Sequence, residues 1–288
     1  MAPPRSNRTR APLWGAALSL VVFVLTGIAA RLIGAVHVRD VAALHAFTEL
    51  DGRHVGAVCQ RIVELLGPAP FTLLGLLLVA VALAQRRPRL AGGVVLVLAG
   101  STICAEYLKP LLAQPRFATM VGSTKIPDAS WPSGHSTAAM ALVLCAIMVA
   151  PRRLRVPVAA AGAVFAVAVA FSLLTLDWHL PSDVVGGYLL AAVWSLFVLA
   201  ALRAADARWP AGTARRLLTA PRVGPPRVGP LLAGALLAAG VPLLAMVVVL
   251  AAHGGLGSIP GQHSLVLAGA AIVAAAVALA SAMARLSG

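Results

Sequence analysis

Charged side chains are scarce in this 288-residue sequence. Only 11% of its residues are charged and only nine are acidic, whereas 60% are hydrophobic and the mean hydropathy is +0.92. A soluble globular domain carries about 25% charged residues, so this composition excludes one. The sequence instead predicts a helical membrane protein, because several of its apolar runs reach the roughly 20 residues that cross a bilayer.

Cysteine is also rare, and its spacing excludes two further classes of protein. Cys59, Cys104 and Cys145 lie far apart in the sequence. They show neither the paired spacing of zinc ligands nor the pattern of a disulfide framework. Two of them fall within apolar runs, where cysteine usually packs as a small hydrophobic side chain. No carboxylate cluster suited to Mg²⁺ lies near the histidines of the predicted outer side either. We expect no metal site and no cofactor.

Eight apolar runs predict the fold. They cover residues 12–34, 68–84, 90–108, 135–150, 156–176, 183–203, 229–252 and 264–284. The fourth run is short for a membrane span. The first is too long for the apolar region of a signal peptide and lacks a clear cleavage site, so we expect it to be retained. The predicted fold is an all-α, polytopic membrane bundle.

Basic residues are distributed unevenly between the two ends of these spans. If the spans alternate in direction, sixteen basic residues fall on one side with Asp206 as the only acid, and the other side holds seven basic and eight acidic residues. This asymmetry follows the positive-inside rule. It predicts that both termini lie in the cytoplasm. It also accounts for the net charge of +14 without a nucleic-acid partner. Arginine outnumbers lysine 21 to 2 and alanine is abundant, which suggests a GC-rich, bacterial genome and hence a bacterial inner membrane.

Composition divides the chain into four segments. Residues 1–11 form a basic tail, 12–203 hold six spans, 204–228 are a linker rich in Pro, Gly and Arg, and 229–288 hold the last two spans. Between the first two spans, residues 35–67 are amphipathic, and we expect them to lie along the outer membrane surface. We expect the histidines of this segment to be solvated at the interface: His37, His45 and His54.

Polar residues of the predicted outer side collect in three stretches. In the first, EYLKPLLAQPRF, Lys109 ends the third span and Arg116 follows seven residues later. Taken alone, this stretch is better explained by a lysine that snorkels from a helix end and an arginine in a loop. In the second, PSGHS, Ser133 can cap the fourth span, Gly134 permits close approach of a ligand, and His135 stands in the first turn. By itself this stretch is equally an ordinary helix cap.

The third stretch is FSLLTLDWHLPSDVVGGY, in which His179 precedes the sixth span and Asp183 opens it. A spacing of four residues across a turn into a helix lets a carboxylate reach one imidazole nitrogen. The other nitrogen is then free to attack or to take a proton. The alternative is a helix-start carboxylate beside an interfacial histidine.

Alternation of the spans brings all three stretches to one membrane face. A lysine and an arginine can clamp a phosphate there, a helix N-terminus can bind it, and two histidines can act on it from opposite sides. Such a site needs no metal, because phosphoryl transfer depends mainly on positioning and on stabilised oxygen charge.

Together the three stretches resemble the type 2 phosphatidic acid phosphatase family. Its motifs are K-x6-R-P, P-S-G-H and S-R-x5-H-x3-D, on a six-helix membrane core. The chain matches the first motif at Lys109 and Arg116, with Phe117 in place of proline. The remaining matches are Pro132, Ser133, Gly134 and His135 for the second motif, and Ser172, His179 and Asp183 for the third. The resemblance covers about residues 12–203 and implies a six-helix catalytic core with a two-helix extension.

The resemblance implies a role for each matched side chain. His179 would be the nucleophile that forms a phosphohistidine, with Asp183 orienting it. His135 would protonate the leaving group and later activate water. The phosphate oxygens would be held by the other matched residues: Lys109, Arg116, Ser133 and Gly134.

One position departs from the family pattern. Leu173 stands where the third motif has a phosphate-binding arginine. One charge-assisted contact, worth about 1.5–3 kcal/mol, is therefore missing. Lys125, Arg31 and Arg39 are candidates to replace it, but the sequence places none of them near the site.

Three functions remain open at this point. The leading hypothesis is a lipid phosphatase that acts at the outer face on a phosphomonoester or pyrophosphate of the polyprenyl diphosphate, phosphatidic acid or phosphatidylglycerol phosphate type. Its partners would be that substrate and membrane lipids. The alternatives are a lipid phosphotransferase that uses an alcohol acceptor, and a non-catalytic lipid-binding relative that lost activity with the arginine. Oligomeric state is not predicted.

Overall fold

The computed structural model describes residues 5–113, 126–209 and 262–287, and within these ranges the chain is helical and contains no strand. The helices are α1 (Arg5–Leu32), α2 (Gly34–Thr48), α3 (Arg53–Glu64), α4 (Pro68–Ala84), α5 (Pro88–Leu111), α6 (Gly134–Val149), α7 (Arg155–Thr175), α8 (Pro181–Arg208) and α9 (Gln262–Leu286). A single 3-10 turn precedes α7. The predicted all-α membrane fold is confirmed.

Five of the described helices, α1, α5, α7, α8 and α9, are long and apolar enough to cross a membrane. The pair α3 and α4 is a sixth candidate, but it is bent by 51° at the break between the two helices. Helix α6 is apolar but shorter, as expected for the fourth run. Seven of the eight predicted runs thus fall on described helices, and the run 229–252 lies outside the described residues. The chain is a multi-pass membrane protein.

Helices α6 and α8 form the centre of the bundle. Nearly every side chain of α6 is buried, because α5, α7 and α8 pack around it. A helix that is apolar on all sides requires such an environment. Gly187 of α8 lets the two helices touch, since a Cβ at this position would lie 2.7 Å from the carbonyl oxygen of Ser133. This contact fixes the start of α8 against the start of α6.

The amphipathic segment 35–67 forms α2 and α3. The predicted apolar stripe of α2 is buried at Val41, Leu44 and Phe47, against a surface made by α1, α7 and α9. The prediction that the histidines of this segment are solvated is wrong for His37, which is only 7% exposed. It lies one helical turn before Val41, on the face that packs against the bundle. The other two histidines are exposed.

Helix α9 belongs to the predicted C-terminal extension and packs against α7, α2, α6 and α8. Its buried side chains join the same apolar core as those of the central helices: Leu265, Ile272, Val273, Ala276, Ala280, Met283 and Ala284. The described half of the extension therefore covers the core. The boundaries of the predicted segments remain predictions.

The basic ends of several helices meet at one end of the bundle. Arg155, at the start of α7, lies within electrostatic range of Arg87, Arg152 and Arg203. Arg89 forms a 3.0 Å ion pair with Asp206 at the same end. The start of α5 and the ends of α6 and α8 lie at this end of the bundle. The end of α5 and the starts of α6 and α8 therefore lie together at the other end.

Candidate active site

Lys109 and the start of α6 are direct neighbours. Lys109 stands in the last turn of α5, where its Nζ lies 2.6 Å from Oε1 of Glu106. A Cβ added to Gly134 would lie 3.3 Å from that Nζ and 2.9 Å from the same Oε1. Glycine at the first residue of α6 therefore permits this close approach. The first and second predicted stretches are in contact.

Ser133 joins the second stretch to the third. Its Oγ accepts a 3.3 Å hydrogen bond from the backbone N–H of Ser136, so it caps α6 as predicted. Its own backbone N–H donates to the carbonyl oxygen of Asp183 at 3.0 Å. The side chain of Ser133 is fully buried. Both histidine-bearing turns are thus tied to one another through their backbones.

The C-terminal end of α7 positions His179. The N–H of Trp178 donates to the carbonyl of Leu173, and the N–H of Asp177 donates to that of Leu174. Asp177 has a φ of 58°. This is a Schellman ending of α7, and aspartate is one of the few residues besides glycine that adopt such a φ readily. The chain leaves α7 abruptly and carries His179 to the start of α8.

Asp183 faces His179 from the first turn of α8. Its Oδ2 lies 3.5 Å from Nδ1 of His179, and its side chain is only 2% exposed. The same oxygen accepts hydrogen bonds from Oγ of Ser130 at 2.7 Å and from the backbone N–H of Leu180 at 3.1 Å. The carboxylate is therefore held by two donors, with the imidazole as its third neighbour. The separation of 3.5 Å is longer than a well-formed hydrogen bond.

His135 lies close to the same group of residues. Its ring centre is 5.7 Å from the ring centre of Trp178. It lies within electrostatic range of His179, Lys109 and Glu106. Two imidazoles, a lysine and a helix N-terminus are thus gathered around one region. Such a group can bind an anion and move protons around it.

Six of the seven predicted site residues fall in the described ranges, and these six come together; the seventh, Arg116, lies outside the described residues. Leu173 is fully buried. Of the candidates to replace the missing arginine, Lys125 also lies outside the described residues, and Arg39 is exposed on α2. Arg31 lies with its guanidinium carbon 4.3 Å from the ring centre of Trp131, two residues before Ser133.

Three further residues at this end of the bundle were not predicted from the sequence to belong to the site. Ser130 donates to Asp183, and Glu106 pairs with Lys109. Asp40 of α2 accepts hydrogen bonds from the backbone N–H and the hydroxyl of Ser182 at 3.1 and 2.6 Å. Glu106 has a sequence signal, because it precedes Lys109 by one helical turn. Nothing in the sequence links Asp40 to α8.

The described part of the chain contains no group of three or more His, Cys, Asp or Glu side chains that could hold a metal ion. The donors at this end are instead a lysine, two imidazoles and backbone amides. These groups suit an oxyanion, and the pairing of one imidazole with a buried carboxylate suits nucleophilic or base chemistry.

Two of three comparisons with known proteins found a match. Residues 90–206 match the model of the PAP2 superfamily. The fold matches the crystal structure of a transmembrane PAP2-type phosphatidylglycerolphosphate phosphatase from Bacillus subtilis, with a TM-score of 0.55 and 22% identity, covering 68% of this chain and 98% of that chain. The comparison with curated proteins found no match. The matched segment 90–206 carries all three polar stretches, and in this segment the chain is similar to the PAP2 superfamily.

Proposed function

We propose that this chain is an integral-membrane lipid phosphatase that hydrolyses a lipid phosphate or pyrophosphate through a phosphohistidine. The observation that carries the proposal is the meeting of His179 and Asp183, 3.5 Å apart, with the His135 turn and Lys109 at one end of the bundle. A nucleophile, its orienting carboxylate, a proton donor and a cation are the groups that this reaction requires.

Each side chain has a defined part in the proposed reaction. Asp183 faces Nδ1 of His179, so Nε2 is the nitrogen that attacks phosphorus. The N–P bond forms while the bond from phosphorus to the lipid oxygen breaks, and His135 gives that oxygen a proton. Water, deprotonated by His135, then attacks the phosphohistidine and releases inorganic phosphate. Lys109, Arg116, Ser133 and the Gly134 amide hold the phosphate oxygens throughout.

The proposed site faces away from the cytoplasm. The arginines gathered near Arg155 mark the opposite end of the bundle as the cytoplasmic one under the positive-inside rule. Both termini are then cytoplasmic, in the inner membrane of a bacterium. A tag near residue 122 would react with an impermeant reagent in intact cells, whereas a tag within 204–228 would be shielded. The reverse pattern would place the site on the cytoplasmic side.

The proposed substrates are lipid phosphates, and they rest on the resemblance to the phosphatase family. The candidates are polyprenyl diphosphate, phosphatidic acid and phosphatidylglycerol phosphate, and the last is the substrate type named for the structural neighbour from Bacillus subtilis. The test is release of inorganic phosphate by the purified protein from a panel of these lipids, in EDTA and with and without orthovanadate. We expect turnover in EDTA and inhibition by vanadate. Absence of turnover on every lipid would favour the non-catalytic relative, and phosphate appearing on an added alcohol would favour the transferase.

A further inference from the structure

A carboxylate lies in the region proposed to bind phosphate. Glu106 pairs with Lys109 through a contact of 2.6 Å, with 63% of the Glu106 side chain and 22% of the Lys109 side chain exposed. The carboxylate oxygen of this pair would lie 2.9 Å from a Cβ on Gly134. Glu106 therefore reaches the first residue of α6 as well as the lysine.

The environment of this carboxylate favours any anion. The positive end of the α6 dipole and the Lys109 ammonium both attract negative charge there. Ser133 already accepts from the N–H of Ser136, so the amides that remain for an anion are those at the very start of the helix. The Glu106 carboxylate is the anion that stands beside them. A phosphate that binds Lys109 must therefore compete with this carboxylate for the ammonium.

We infer that Glu106 is a displaceable counter-ion of Lys109 that weakens the binding of phosphate to the site. In the absence of substrate it holds the ammonium against the start of α6. When a phosphate oxygen binds the Lys109 ammonium, the Glu106 carboxylate is released. The exposed Glu106 side chain then rotates toward solvent. After hydrolysis the carboxylate returns to Lys109, and this assists departure of inorganic phosphate. The inference rests on the proposed function, because it takes Lys109 as a phosphate-binding residue.

The inference predicts a direction of change. Glu106→Gln keeps the size of the side chain but removes its charge, so phosphate no longer competes with an anion. We expect inorganic phosphate to bind about two- to fivefold more tightly, the range for loss of one exposed ion pair. The gain should vanish when Lys109→Ala is also present, because no shared cation is then left. A purely structural role for Glu106 would lower stability and would not tighten binding.

The experiment measures equilibrium binding of inorganic phosphate to the purified full-length protein by titration calorimetry, together with phosphate inhibition of lipid phosphate turnover. The matched control is Glu64→Gln, which removes charge from the Arg61–Glu64 pair of the same i,i+3 spacing on α3 and should leave phosphate affinity unchanged. Unchanged or weaker binding in Glu106→Gln overturns the inference, and so does a gain that persists beside Lys109→Ala. Binding does not depend on turnover. A protein that binds phosphate as described but hydrolyses no lipid therefore refutes the proposed function and leaves this inference standing.

Discussion

Asp40 accepts two hydrogen bonds from Ser182, which lies 142 residues further along the chain. Ser182 immediately precedes Asp183, the carboxylate that faces His179. Asp40 itself is only 9% exposed. Two hydrogen bonds thus tie helix α2 to the first turn of α8.

We expect Asp40→Ala to lower the turnover number by about tenfold, since hydrogen bonds to a charged group contribute about 1.5–3 kcal/mol. The Michaelis constant should change little, because Asp40 has no role in holding phosphate. Asp40→Asn should recover part of the activity, since its amide oxygen still accepts from Ser182. Steady-state kinetics and thermal unfolding of all three proteins check this. A stable Asp40→Ala protein with normal turnover would contradict the positioning role.

The contact between α6 and α8 is a second target. A Cβ at Gly187 would lie 2.7 Å from the backbone oxygen of Ser133 and 2.9 Å from Cβ of Ser136. Moving backbone atoms costs more free energy than rotating a side chain. Gly187→Ala should therefore push α6 and α8 apart, lower the melting temperature and reduce activity. The control is Gly92→Ala on α5, where nothing lies within 4 Å of the added methyl group. That change should be neutral or stabilising, by up to about 1 kcal/mol. Equal effects at the two positions would refute the close-contact argument.

Leu173 is the position that departs from the family pattern, and it is fully buried. Leu173→Arg places a larger, charged side chain there, so the unliganded protein should melt at a lower temperature. If the new guanidinium reaches the proposed site, inorganic phosphate should stabilise this variant more than the unchanged protein. Thermal unfolding with increasing phosphate measures both effects. A loss of stability that phosphate does not recover would show that position 173 does not face the site.

His135 is proposed to act on the leaving group rather than on phosphorus. His135→Ala should slow turnover by about 10²–10⁴, the usual contribution of a general acid or base. The loss should be smallest with a phosphoester whose leaving group needs no proton, such as a nitrophenyl ester. Single-turnover rates on a lipid and on an activated ester make the comparison. Equal losses on both substrates would argue against the assigned role.

Much of the fold could be predicted from the sequence, because a lipid environment leaves helices as the only structure that satisfies every backbone group in segments of this kind. Alternation of the spans then brought the Lys109, His135 and His179 stretches to one end, where the structure has them. The links that depend on side-chain packing could not be predicted. The burial of His37 depends on the packing of α2 against other helices of the bundle. The Asp40–Ser182 contact joins α2 to α8. No local sequence pattern indicates how far along the bundle axis these two helices lie from each other.

The central claim is that His179 forms a covalent bond to phosphorus. The most direct measurement is mass spectrometry of peptides from the purified protein, after rapid mixing with a lipid phosphate substrate and quenching in base to preserve phosphohistidine. We expect phosphate on His179, lost on mild acid treatment. With an activated ester, whose leaving group needs no proton, the phosphohistidine should accumulate further in His135→Ala, because only the base for the second step is then missing. His179→Ala should show neither phosphoenzyme nor turnover. Phosphate on another residue, or a phosphoenzyme that persists in His179→Ala, would contradict the account.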